Sequence, residues 1–142
     1  MSTDRETFDE ATSWFAKALV DLRAGELETG VSPSLNSDIV FHAQQAAEKS
    51  MKGFLCYHGL TFRKTHNLVE IGESCVAVDA TLEPLLRRAA TLTEYAWKFR
   101  YPGDPEDPSD QETGEALALA NAVYGALMSL LPFNADQGPI ND

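Results

Sequence analysis

His42, His58 and His66 are the three histidines of the chain, and all lie between residues 42 and 66. Imidazole is the side chain whose ordinary titration range spans neutral pH, so acid–base chemistry is sought in that stretch first. His42 is followed by Gln45, Lys49 and Lys52. At about 100° per residue, these four fall along one helical stripe. Imidazole, amide and ammonium donors together suit a phosphate or a partner's carboxylates. Spacing alone favours a solvated face in which Glu48, four residues ahead of Lys52, makes one ion pair.

Arg63, Lys64 and His66 form a basic turn in an otherwise acidic chain. They could hold an anion, or simply complement the C-terminus of the preceding helix, where cations are favoured. Arg100, just before Tyr101 and Pro102, carries the same two readings and could also stack on Tyr101. Asp104, Glu106, Asp107 and Asp110 lack the EF-hand order and its central glycine, so acidic residues at a helix start are the simpler reading than a calcium site. The chain contains no GxSxG, GxGxxG, P-loop or HExxH string. Cys56 and Cys75 fit no CxxC spacing and read as two reduced thiols. No metal and no cofactor is expected.

The formal net charge is −11, a field that repels phosphate backbones and disfavours general RNA or DNA binding. No apolar run approaches the roughly 18 residues of a membrane span, and the start MSTDRETFDE is polar, so a cytoplasmic address is expected. A length of 142 residues suits a single domain.

The elements that must position these residues follow from apolar periodicity. Phe8, Ala11, Phe15, Ala18, Leu19 and Leu22 predict a helix over about 3–24, capped by Thr3 with Glu6. Val40, Ala43, Ala47, Met51 and Phe54 predict a second over 38–57, stopped at Gly59, with residues 25–37 as connector. Asn67 with Glu70 caps a short third helix ending near Val78. Leu82, Leu85, Leu86, Ala89, Leu92, Ala96 and Phe99 predict a long fourth, ending by Tyr101 ahead of Pro102. After the proline-rich PGDPEDPSD, Ser109 with Glu112 caps a last helix reaching Pro132. No sustained period-two alternation predicts a strand. The expectation is an all-α, antiparallel up-and-down bundle of four long helices and one short one over residues 1–132, followed by a flexible tail over 133–142. Trp14 and Tyr124 lie beside the main stripes, which suggests a homodimer that covers them.

FHAQQAAEKSMKGFLCYHGLTFRKTHNLVEI, residues 41–71, resembles the HEPN family of prokaryotic helical proteins, and WFAKALVDLRAGE and EYAWKFRYP resemble that family's usual surroundings. The likeness spans most of residues 10–130. It implies a dimerising bundle whose members often form a toxin–antitoxin pair with a small nucleotidyltransferase, while others bind nucleotides or cut RNA. The family's characteristic polar positions correspond here to His42, Gln44, Gln45, Glu48, Lys49 and Lys52, to Lys64 and His66, and to Arg100 with Tyr101. The RNA-cutting members carry an arginine followed four to six residues later by a histidine. Here no histidine follows His66, and Arg63 is separated from His66 by only two residues. The expectation is therefore a nucleotide- or partner-binding module using Gln45, Lys49, Lys52, Lys64, His66, Arg100 and Tyr101. Two alternatives stand beside it. One is a diverged ribonuclease toxin, with Arg100 on the phosphate and His66 or His42 moving the proton. The other is a purely structural oligomerisation domain.

Overall fold

The apolar stripe of the first helix is buried as its spacing predicts, with Ala11, Phe15 and Ala18 fully covered and Leu22 nearly so. A computed structural model describes residues 4–103, 106–134 and 138–139. The Thr3 cap and Asp104 lie outside the described residues. Helix α1 spans Asp4–Glu28, continuing past the expected stop at Gly25. A methyl at Gly25 would meet Leu117 Cδ1 at 3.0 Å. The glycine admits a neighbouring helix and does not end its own.

Helix α2 runs Asn36–Tyr57 and ends before Gly59, whose φ of 72° is the left-handed conformation a helix stop requires. Asn36 donates to the Pro108 carbonyl at 3.2 Å and to Asp110 at 2.8 Å, tying the start of α2 to the start of the last helix. Against α1, the order of contacts reverses along the chain. Cys56 lies 3.2 Å from Glu10, Gly53 lies against Phe15, and Lys49 and His42 both reach Asp21. The two helices therefore run antiparallel.

Helix α3 (Leu68–Val78) has the Asn67 cap, whose side chain accepts from the Val69 amide at 2.9 Å. Glu70 does not complete the capping box and instead pairs with Arg63. The fourth element differs from expectation. A 3₁₀ turn (Ala80–Leu82) leads into a short α4 (Glu83–Ala89), and the chain then tightens into a 3₁₀ segment over Ala90–Ala96. From Leu86 onward the buried residues are Leu86, Ala89, Leu92 and Tyr95, a spacing of three that matches the 3₁₀ period and drifts off one face of an α-helix. Tyr95 takes the inward place that the α-helical reading assigned to Ala96. At the end of this segment Phe99 adopts φ 70°, which is unfavourable for a bulky side chain, and turns the chain so that Arg100 faces α2.

Helix α5 (Asp110–Ser129) starts on Ser109, whose hydroxyl accepts from the Glu112 amide at 3.0 Å. The Glu112 carboxylate accepts from the Tyr95 hydroxyl, joining α5 to the 3₁₀ segment. It ends short of the expected Pro132. In the tail expected to be flexible, β1 (Phe133–Asn134) pairs antiparallel with β2 (Gly138–Pro139), a pairing no alternation announced.

The described chain is thus all-α apart from that pair, with α2 at its centre. Val40, Ala43, Ala47 and Met51 are fully buried, and so is Gln44, which shares their face of α2. Trp14 packs edge-to-face on Phe62 at 6.1 Å and Tyr124 on Phe15 at 6.0 Å. The protomer's own core therefore engages the two aromatics that suggested a dimer.

Candidate functional site

Polar side chains of α2 gather in two adjoining groups along the helix. The first surrounds its N-terminal half. Asp21, near the end of the buried stripe of α1, is covered, and its two carboxylate oxygens serve different partners. Oδ1 lies 2.8 Å from His42 Nδ1, and Oδ2 accepts from Lys49 Nζ at 2.6 Å. Asp38 divides its oxygens in the same way. Oδ1 accepts from Arg100 Nη1 at 3.2 Å, and Oδ2 stands 3.3 Å from His42 Nε2. Glu28, at the end of α1, places Oε2 3.9 Å from the same Nε2, while its buried Oε1 has no hydrogen-bond partner.

The electrostatics of this group are uneven. Burial, then the hydrogen bond and charge of Asp38, push the Glu28 carboxyl up to about 7. Asp38 is held below the ordinary carboxylate range: burial pushes it up, but its hydrogen bonds to Glu28 and Arg100 and the nearby His42 outweigh that. The guanidinium of Arg100 also lies over the Phe41 ring, 3.9 Å from its centre. Arg100 is thus held against α2 by Asp38 and Phe41.

The second group centres on Glu48, a buried carboxylate. It accepts from Gln44 Nε2 at 3.0 Å and from Lys52 Nζ at 2.9 Å, and its Oε1 lies 2.8 Å from His66 Nδ1. Gln45 donates to Gln44 Oε1 at 2.7 Å, extending the chain of bonds toward the surface. These partners hold Glu48 ionised below its usual range against the upward push of burial. Lys52 is itself buried, with its ammonium 5.6 Å from the Trp14 ring centre and 5.7 Å from that of Phe62.

Two expectations are corrected. The stripe His42, Gln45, Lys49, Lys52 is not a solvated face, because α1 and the 58–67 loop cover much of it; the Glu48–Lys52 pair is present but buried. Lys52 is a structural cation, closed in by two aromatic rings and a carboxylate, and an incoming ligand would have to break a buried pair to use it. Of the basic turn, only His66 joins the network. Arg63 makes a two-point pair with Glu70, and Lys64 is exposed without a hydrogen bond or ion pair among the described residues. His58 packs on Phe54 and Tyr57, away from both groups.

The structure brings His42 and Arg100 to opposite oxygens of Asp38. It does not bring His66 to Arg100. Glu48, which holds His66, is ten residues beyond Asp38, or about 15 Å along the axis at 1.5 Å per residue. Sequence reasoning missed Asp21 and Glu28. Asp21 carried a signal, since it sits three residues after Ala18 within the apolar register of α1, where a carboxylate needs partners. Both cysteines are free and buried, and burial pushes each thiol up to about 12, with Glu10 adding to the effect at Cys56.

The HEPN domain family matches the chain over residues 11–130, and the chain belongs to that family. No curated protein and no solved structure matches it. No helix among the described residues is long and apolar enough to cross a membrane.

Proposed function

We propose that this HEPN chain is a binding module rather than a hydrolase. In this reading it is a cytoplasmic homodimeric bundle of the up-and-down kind. It engages a small nucleotidyltransferase partner, or that partner's nucleotide, as half of a prokaryotic toxin–antitoxin-type pair. The observation that carries the reading is the Arg100–Asp38 pair. A guanidinium that stabilises a pentacoordinate phosphate must have free charge to offer, and this one is already neutralised and stacked on Phe41. A partner surface bearing both charge signs can exchange with such pairs, whereas the net charge of −11 repels free polyphosphate. Gln45, Lys64, His66, Arg100 and Tyr101 are the groups through which the partner is engaged, with Lys49 and Lys52 holding α2 in place behind them. Calorimetry against ATP and against the product of the neighbouring gene should show binding to at least one of them. Silence with both would overturn the proposal.

The homodimer is assigned to the outer face of α1, where Val20 is 61% and Leu27 is 80% exposed seven residues apart. Sedimentation should show a dimer at micromolar concentration that Leu27→Glu dissociates; a wild-type monomer would remove this element.

One observation favours the ribonuclease as a second reading. His42 and Arg100 share Asp38, so a proton carrier and a cation stand side by side without the usual sequence motif. Purified chain incubated with RNA distinguishes the two: cleavage abolished by His42→Ala and by Arg100→Ala would establish the ribonuclease, and intact RNA dismisses it.

A further inference from the structure

The group at the N-terminal half of α2 contains three donors aimed at one point. Glu28, Asp38 and His42 each present one ligand atom, and these atoms all lie within 4.8 Å of one another. The two distances measured from His42 Nε2, 3.3 Å to Asp38 and 3.9 Å to Glu28, bracket the ~3.4 Å that separates ligands bound about 2.1 Å from a tetrahedral metal. We propose that Glu28, Asp38 and His42 form a binding site for one divalent transition cation of the zinc type, with Asp21 orienting the imidazole. This goes beyond the binding-module reading and does not depend on it.

Three features support the assignment independently. Asp21 Oδ1 lies 2.8 Å from His42 Nδ1, the carboxylate–histidine relation that fixes a metal-binding imidazole with its other nitrogen free. His42 Nε2 faces two carboxylates, Asp38 at 3.3 Å and Glu28 at 3.9 Å, a set of donor atoms that one cation can bridge. Glu28 Oε1 is buried with no hydrogen-bond partner, so this carboxylate has ligating capacity that no protein group uses.

The surrounding charges leave room for the ion. Lys49 pairs with Asp21 Oδ2 and Arg100 with Asp38 Oδ1, which leaves Asp38 Oδ2 and, once ionised, Glu28 to face the ion. One nitrogen and two carboxylate oxygens suit zinc, cobalt or manganese better than magnesium or calcium, which prefer all-oxygen sites. The three ligands are 21–37% exposed on their side chains, which leaves a further coordination position open to water.

Zinc and cobalt(II) titrations of the full chain test the site. One equivalent should bind with micromolar or tighter affinity, and cobalt should develop the visible absorption of a low-symmetry site. Glu28→Gln and His42→Gln should each weaken binding at least ten-fold, and Asp21→Asn about ten-fold. His58→Gln should leave binding unchanged, with circular dichroism verifying the fold of every variant. In wild-type protein, zinc should move the His42 ring resonances in the NMR spectrum ahead of those of His58 and His66, a readout that needs no variant. Absence of binding at 100 μM metal would overturn the site. So would unchanged affinity in Glu28→Gln and His42→Gln, or a first shift at His58 or His66.

Discussion

Arg100 Nη1 reaches Asp38 Oδ1 at 3.2 Å across 62 residues, closing the segment that follows the 3₁₀ helix onto the start of α2. Both side chains are about one-third exposed, so the ion pair alone contributes little, and the stack on Phe41 adds a comparable amount. Arg100→Ala should therefore cost about 1 kcal/mol in urea denaturation. A loss above ~3 kcal/mol would mean that Arg100 holds the fold rather than a ligand.

Lys52 and Lys64 were equivalent candidates by composition, and the structure separates them. Removing the Lys52 ammonium leaves Glu48 buried beside His66, its remaining cationic candidate, which is 65% exposed on its side chain. Lys52→Ala should cost roughly 3 kcal/mol, as expected for breaking a buried pair from one side. Lys64→Ala, at an exposed position, should stay within about 0.5 kcal/mol of wild type. Thermal denaturation of the two variants side by side checks the ranking, and equal losses would contradict it.

That separation shows what was legible in the sequence. Periodicity located α1, α2 and α5, and capping residues marked the starts of α3 at Asn67 and α5 at Ser109, because those stripes are amphipathic and caps act locally. It failed over residues 90–100, where a spacing of three was read as an α-helical stripe and Tyr95 was passed over. The helix-two polar residues were legible as a constellation, but their burial was not. Whether a lysine is solvated or enclosed depends on Trp14 and Phe62, each distant from Lys52 in the helical register or lying in a loop. Glu28 was invisible because the helix that carries it was expected to end before it.

Glu28 makes stability depend on pH in a stated direction. Its carboxyl sits at about 7 in the folded chain against an ordinary 4.5. The folded state thus retains a proton that the unfolded state releases. Its stabilising contribution is complete below pH 4.5, declines as pH rises and is lost above about 7. In metal-free buffer, Glu28→Gln should gain on wild type by roughly 1–2 kcal/mol between pH 4.5 and 7.5. A difference that stays flat with pH, measured by denaturant titration, would contradict the assignment.

Gly53 lies against α1. A Cβ built there meets Phe15 Cε2 at 2.7 Å and Trp14 Cβ at 3.0 Å, and Phe15 is fully buried. Gly53→Ala should destabilise by about 1–3 kcal/mol despite the better helix propensity of alanine. A stabilised variant in thermal denaturation would show that the two helices can separate without cost.

The most direct test of the binding-module account is a calorimetric titration of the nucleotidyltransferase partner with wild-type chain and with the charge reversals Lys64→Glu and Arg100→Glu. The account predicts that each reversal weakens binding at least ten-fold while the dimer persists in sedimentation. Affinity unchanged by both reversals would contradict it, and would leave the chain a structural oligomerisation domain.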